Sequence, residues 1–218
     1  MQAELQGNPD FGHIHFKLES GEIVLTESGA MAAMDNNLTL ETKMMGGFIP
    51  AIMRKLLAGE SLLQGQYTAK DAAGRLVVSP SIPGQVLYRK MGERPLFLTA
   101  GSFLACTPGV NIGTVFGGIQ ALFSGEGMFF LKVTGQGDLW YNAYGSVIER
   151  ELTEELIVDT GQVVGWEDGV TWSLERVGNW MSTFFSGEGL VMRFKGPGKV
   201  WLQTRNTSGL VSWIGKYF

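Results

Sequence analysis

The sequence predicts an all-β protein of three pseudo-repeated, β-sandwich-like units, with at most one or two short helices. Three observations carry that expectation. The stretch Phe123-Ser124-Gly125-Glu126-Gly127 recurs unchanged as Phe185-Ser186-Gly187-Glu188-Gly189, with a weaker copy at Leu57-Ala58-Gly59-Glu60-Ser61. Landmarks on either side of each copy recur in the same order, and self-similarity of this kind points to one supersecondary unit used several times. Glycine supplies 31 residues while charged residues make up 17%, against roughly 25% in an ordinary soluble domain, a balance that suits short strands joined by tight turns.

The downstream landmarks are Ile82-Pro83-Gly84-Gln85-Val86-Leu87, Gly135-Gln136-Gly137-Asp138-Leu139-Trp140 and Gly196-Pro197-Gly198-Lys199-Val200-Trp201, each a glycine-containing turn before an apolar strand start. Upstream, three β-branched or apolar runs close on Gly29, Gly101 and Gly161. The extra length of the first unit is assigned mainly to an inserted hairpin over Tyr67–Ser79. The units run from about 13 to 90, 91 to 150 and 151 to 218. No Pro- or Ser-rich linker divides them, so 1–218 is expected to form a single compact domain.

Taken in order, residues 1–10 are polar and read as an arm or edge. Phe11–Leu18 alternates, with Ile14, Phe16 and Leu18 on one side and His13, His15 and Lys17 on the other, the period of a half-buried strand. Glu22–Thr26, Ala30–Met34 and Leu38–Thr42 read as further strands; Asp35-Asn36-Asn37 supplies a turn. Met44–Leu57 is the best helix candidate, with Phe48, Ile49, Ile52, Met53, Leu56 and Leu57 at three- and four-residue spacing, Pro50 near its start and Gly59 ending it. From Ser61 onward the pattern is strand and turn throughout. Lys17–Glu22, Arg89–Pro95 and Glu149–Glu155 are expected as polar connections between strands.

The runs Ile23–Met31, Gly118–Gly145, Leu156–Glu167 and Phe184–Trp201 resemble the mitochondrial-biogenesis family named for altered inheritance of mitochondria. The likeness covers nearly the whole chain. It implies a fold similar to the tryptophan-RNA-binding attenuation protein, a sandwich of the short double-stranded β-helix type that assembles into oligomers, and it implies no catalytic residue. Eukaryotic members of the family are linked to mitochondrial inner-membrane organisation. This sequence shows no transit peptide, so that role does not transfer directly.

Net charge is −4 and the pI about 5.3, so no global field attracts nucleic acid or an anionic membrane. Cys106 is the one cysteine, which excludes a disulfide framework and a cysteine metal cluster. The start has no basic region followed by an apolar one, and no run reaches the roughly 18 apolar residues of a membrane span. A cytoplasmic location is expected, and nothing in the chain calls for peripheral membrane association.

The sharpest enzyme-like feature is Gly7, His13, His15 and Glu19, whose spacing resembles the first metal motif of the cupins. Two histidines two apart on one strand face can reach one metal. The motif ends on Thr26 where a glycine belongs, and the second motif needs a histidine the chain lacks, since His13 and His15 are the only two. The bland alternative is two histidines on the solvated face of an edge strand. Nucleophilic triads lack a nucleophile elbow, and the glycine pairs do not open a helix as a phosphate loop must. Glu60, Glu126 and Glu188 read either as a threefold ion site or as carboxylates stapling turns, and their repetition suits the staple. The six tryptophans read mostly as core, with a local basic edge near Arg193–Lys195 and Lys199–Arg205.

The expected function is a non-enzymatic scaffold or binding protein that self-assembles as a homo-oligomer, without cofactor, resident metal or nucleic acid. An RNA- or small-ligand-binding module and a cupin-like metalloenzyme using His13, His15 and Glu19 are the alternatives. The apolar residues Phe48, Ile49, Ile52 and Met53 are the candidate contact surface, toward another subunit or a membrane-associated partner; capping one open end of the β body is the competing role.

Overall fold

The structure is a computed structural model that describes residues 1–44, 63–116, 129–176 and 190–217. The chain is all-β. In order its strands are β1 (Gln2–Gln6), β2 (His13–Leu18), β3 (Ile23–Glu27), β4 (Met31–Met34), β5 (Leu38–Met44), β6 (Leu63–Ala69), β7 (Gly74–Val78), β8 (Val86–Met91), β9 (Leu96–Thr99) and β10 (Phe103–Cys106). There follow β11 (Val110–Phe116), β12 (Phe129–Gly135), β13 (Gly137–Asn142), β14 (Val147–Glu151), β15 (Leu156–Asp159), β16 (Val163–Glu167), β17 (Thr171–Arg176), β18 (Leu190–Lys195) and β19 (Lys199–Gln203). A helix, α1 (Thr207–Ile214), comes last.

Among the described residues the named strands pair antiparallel in four sheets, β1-β2-β7-β4, β5-β6-β3-β10-β13-β8, β11-β12-β9-β16-β19-β14 and β15-β18-β17. Among β2–β7, strand β7 is flanked by β2 and β4, and β6 by β3 and β5. Among β8–β13, β13 is flanked by β8 and β10, and β12 by β9 and β11. Among β14–β19, β19 is flanked by β14 and β16, and β18 by β15 and β17. A register shift falls at the same place each time, between Met31 and Ala33, Phe103 and Ala105, and Val163 and Gly165. Two joins knit the groups together, β3 with β10 and β9 with β16.

The sheets pack face to face in series around three cores. Ile14, Phe16 and Leu76 of the first sheet meet Val24, Tyr67 and Trp140 of the second. Phe103, Leu139 and Tyr141 of the second meet Leu98, Leu131 and Trp201 of the third. Phe130, Trp166 and Val200 of the third meet Met192 and Phe194 of the fourth. Strands β10 and β16 lie between two cores each: Leu104 faces the first core while Phe103 and Cys106 face the second, and Val164 faces the second while Val163 and Trp166 face the third.

Several expectations need correction. Residues Tyr67–Ser79 do not form a hairpin, because β6 and β7 belong to different sheets and the chain crosses between layers at 70–73. The Gly135 and Gly196 turns link β12 to β13 and β18 to β19, whereas Gly84 lies between β7 and β8; the matching connection in the first group is 70–73. The expected divisions near 90 and 150 fall inside β8 and β14, which pair with strands that follow them. The polar stretches beginning at Lys17, Arg89 and Glu149 open as the ends of β2, β8 and β14 before they become connections. After β19 the next element is a helix rather than a strand: Asn206 caps α1 by accepting a hydrogen bond from the Gly209 N–H at 2.6 Å, which satisfies a donor the first turn leaves free. The Met44–Leu57 helix candidate falls, beyond Met44, outside the described residues.

Trp166 shows how a join is held. Its ring stacks on Phe97 at 5.5 Å and 6°, and meets Phe130 and Phe194 at 4.9 and 5.5 Å, so it ties β9, β12 and β18 around β16. Next to it, Gly165 allows the close approach of β9, since a Cβ there would run into the Phe97 carbonyl oxygen. Trp166→Ala should lower unfolding free energy by about 3–5 kcal/mol in denaturant titration. Trp166→Phe should cost far less, because it keeps the stack and removes an indole N–H that has no partner among the described residues.

Candidate functional site

The β2 alternation places Ile14, Phe16 and Leu18 in the core and leaves His15 and Lys17 in solvent. His13 and His15 stand together on the outer face with ring centroids 5.2 Å apart, and His13 Nδ1 lies 3.1 Å from the Phe11 carbonyl; their strand is not an edge, since β1 and β7 flank β2. Glu19 does not join them. Its carboxylate pairs with Lys17 at 3.4 Å, and among the described residues no group of three or more His, Cys, Asp or Glu is arranged to hold a metal. Glu60, Glu126 and Glu188, and the candidate contact residues Phe48, Ile49, Ile52 and Met53, lie outside the described residues.

The strand register sets His15 opposite Val77, Tyr88 opposite Trp140 and Glu149 opposite Trp201. The last two positions carry polar networks. Tyr88 donates its hydroxyl to Asp138 at 2.8 Å, and Lys90 reaches the same oxygen at 3.0 Å. Trp140, Met1, Ala3 and Leu5 complete the walls of a pocket of about 350 Å³ there. Glu149 accepts from Lys199 at 2.5 Å and from the Trp201 indole at 3.0 Å, while Arg89 pairs with Glu167 at 3.1 Å and lies over the Trp201 ring.

The electrostatics strengthen these charges rather than moving them toward neutrality. The hydrogen bond to Asp138 raises the Tyr88 and Lys90 pKa values. Burial raises the Asp138 carboxyl, but the bonds from Lys90 and Tyr88 outweigh it and hold its pKa below the ordinary value. Lys199 does the same for Glu149. Burial pushes both the Cys106 thiol and the Tyr141 phenol up to about 12, which leaves little thiolate to act as a nucleophile.

Apolar side chains in solvent mark different surfaces. Strand β4 is exposed along its length, Met31 and Met34 included, and Ile157 of β15 is 51% exposed. On α1 and just after it, Val211, Trp213 and Tyr217 are exposed, and Leu210 and Trp213 help line a pocket of about 540 Å³ with Tyr144, Gln162 and Arg205. Sequence reading assigned β4 and the 156–159 run to strands but had no signal for their exposure. The helix did leave one, in the cap residue Asn206 and the spacing of Leu210, Trp213, Ile214 and Tyr217.

These features define an all-β protein of serially packed antiparallel sheets whose outward face is ion-paired and whose apolar surface collects at strand edges and a terminal helix. The family model described as Mitochondrial biogenesis AIM24 matches residues 3–205, and the chain belongs to that family. An uncharacterized protein of Streptococcus pyogenes serotype M6 is 28% identical over 234 aligned positions, covering all of this chain and 91% of the relative. The crystal structure of a Streptococcus pyogenes protein superposes with a TM-score of 0.83 at 27% identity, over 100% of this chain and 99% of that one. Neither description carries an activity.

A pH experiment tests the Asp138 network. A carboxyl whose folded pKa is depressed adds stability that is present above its unfolded pKa and disappears as pH falls through the folded one. Asp138→Asn should therefore be less stable than the parent at pH 7. The gap should close as pH falls through the lowered folded-state pKa of Asp138, below which both side chains are neutral. A gap that stays constant down to pH 2 would show that the charge contributes nothing.

Proposed function

We propose that this chain is a non-enzymatic scaffold or binding protein that works by self-assembly. The observation that carries the reading is the pair of outer strands β4 and β15, which have no hydrogen-bonded neighbour on one side among the described residues and which present Met31, Met34 and Ile157 to water. An unpaired, apolar strand edge is a template for another strand. The low charge fraction leaves little to keep such surfaces apart.

The chemistry of the outward face supports the same reading. The carboxylates beside Tyr88 and Trp201 are satisfied by Lys90 and Lys199, and the two histidines are not joined by Glu19. No helix among the described residues is long and apolar enough to cross a membrane. An assembly of this chain, presented in the cytoplasm, fits these features.

Light scattering on the purified protein across a concentration series tests the proposal. The expected result is a mass that is a multiple of 23.8 kDa and falls on dilution. A single-chain mass at every concentration overturns it. Elemental analysis after dialysis should find less than one metal per chain; a stoichiometric metal lost in His15→Ala would favour an enzyme instead.

A further inference from the structure

The two joins inside the chain show what the two open ends lack. At the first join Ala105 lies opposite Thr26 and Cys106 opposite Leu25. At the second, Gly165 lies opposite Leu98 and Trp166 opposite Phe97. The shared register shift puts Met31, Phe103 and Val163 in correspondence, and so Ala33 with Ala105 and Gly165, and Met34 with Cys106 and Trp166. Leu25, Phe97 and Ile157 each stand six residues before those shift positions, so they correspond as well. Among the described residues, strands β4 and β15 are the one pair of this kind left unmade.

The sheets say the same thing. The two central sheets have six strands, and each is made of two three-strand halves meeting at a join. The fourth sheet, β17-β18-β15, is one such half, and β2-β7-β4 of the first sheet is the other. Burial follows the difference. Cys106 and Trp166 are 0% and 1% exposed, but Met34 is 39% exposed. Leu25 packs against the second core and Phe97 against the third, each reaching past its own group, whereas Ile157 is left in solvent.

Edge chemistry separates these strands from most of the other outer ones. β5, β8, β14 and β17 carry charged residues, including Lys43, Arg89, Glu149 and Glu175, a device that keeps an exposed edge from pairing. β4 carries none. β15 carries Asp159, whose carboxylate is occupied by the Gly161 N–H at 2.7 Å. β11 is uncharged too, but neither internal join uses a strand in its position.

We propose that β4 of one chain pairs antiparallel with β15 of a second copy, Met34 opposite Ile157 and Ala33 opposite Val158. The two half-sheets then make a continuous sheet of the same order as the central ones. The contact is head to tail, so chains add as a ring or an open row. It rests on the self-assembly reading and specifies the surface responsible.

The test uses full-length chains. Met34→Cys and Ile157→Cys are made separately at these exposed positions, mixed, and oxidised with glutathione disulfide; buried Cys106, with its raised thiol pKa, does not compete. The expected result is a disulfide-linked dimer in the mixture and in neither variant alone. No cross-link, or one formed as readily within a single variant, overturns the pairing. So does a double variant that closes its disulfide within one chain without a change of mass. Met34→Lys and Ile157→Lys, checked for unchanged far-UV spectra, should each reduce the assembled mass to that of one chain. If the parent assembles and both lysine variants assemble equally, the edges are wrong while self-assembly stands. If the parent never assembles, both readings fail.

Discussion

Backbone hydrogen bonding across shared sheets is the constraint on which the rest of this structure depends. A buried N–H or C=O must find a partner, and here the partner for β3 and β9 comes from the next group of strands along the chain. The same arrangement closes the cores. Leu25 helps bury the second core and Phe97 the third, while Leu104 and Val164 reach back into the first and second. None of the three cores is completed by its own six strands alone, so stability is a property of the row, as in repeat proteins whose units bury apolar surface only against neighbours.

Charge plays a subordinate part. The ion pairs lie on outward faces, at Asp35–Arg75, Asp138–Lys90 and Glu149–Lys199, where solvent screens them and each contributes little. They occupy the carboxylates, and at Lys90 and Glu149 they place charge on the outer strands β8 and β14.

Much of the local structure was legible because one face of a strand is wet. β2 alternates strictly, and Ile14, Phe16 and Leu18 are buried as that pattern implies. Trp140 and Trp201, each just after a glycine-containing turn, lie on β13 and β19, opposite Tyr88 and Glu149. β10 shows no alternation, because Phe103–Cys106 lies between two cores and all four residues are buried. The supposed hairpin at Tyr67–Ser79 misled because two strands separated by a short polar turn look like neighbours; only the layering places β6 and β7 in different sheets. The exposed edges at β4 and β15 were half legible, whereas the contact surface expected at Phe48, Ile49, Ile52 and Met53 lies outside the described residues. The apolar character of Met31, Met34 and Ile157 is in the sequence, but their exposure follows from β4 and β15 being outermost in their sheets, which no local pattern encodes.

Amide hydrogen exchange at the two ends of the row tests the central claim most directly, because it reads the backbone bonds themselves. The amides of Met31–Met34 and Leu156–Asp159 should become protected as protein concentration rises, approaching the protection of Phe103–Cys106 and Val163–Glu167, which the chain pairs internally. Fast exchange at both ends at every concentration, with the internal strands protected throughout, would contradict the account.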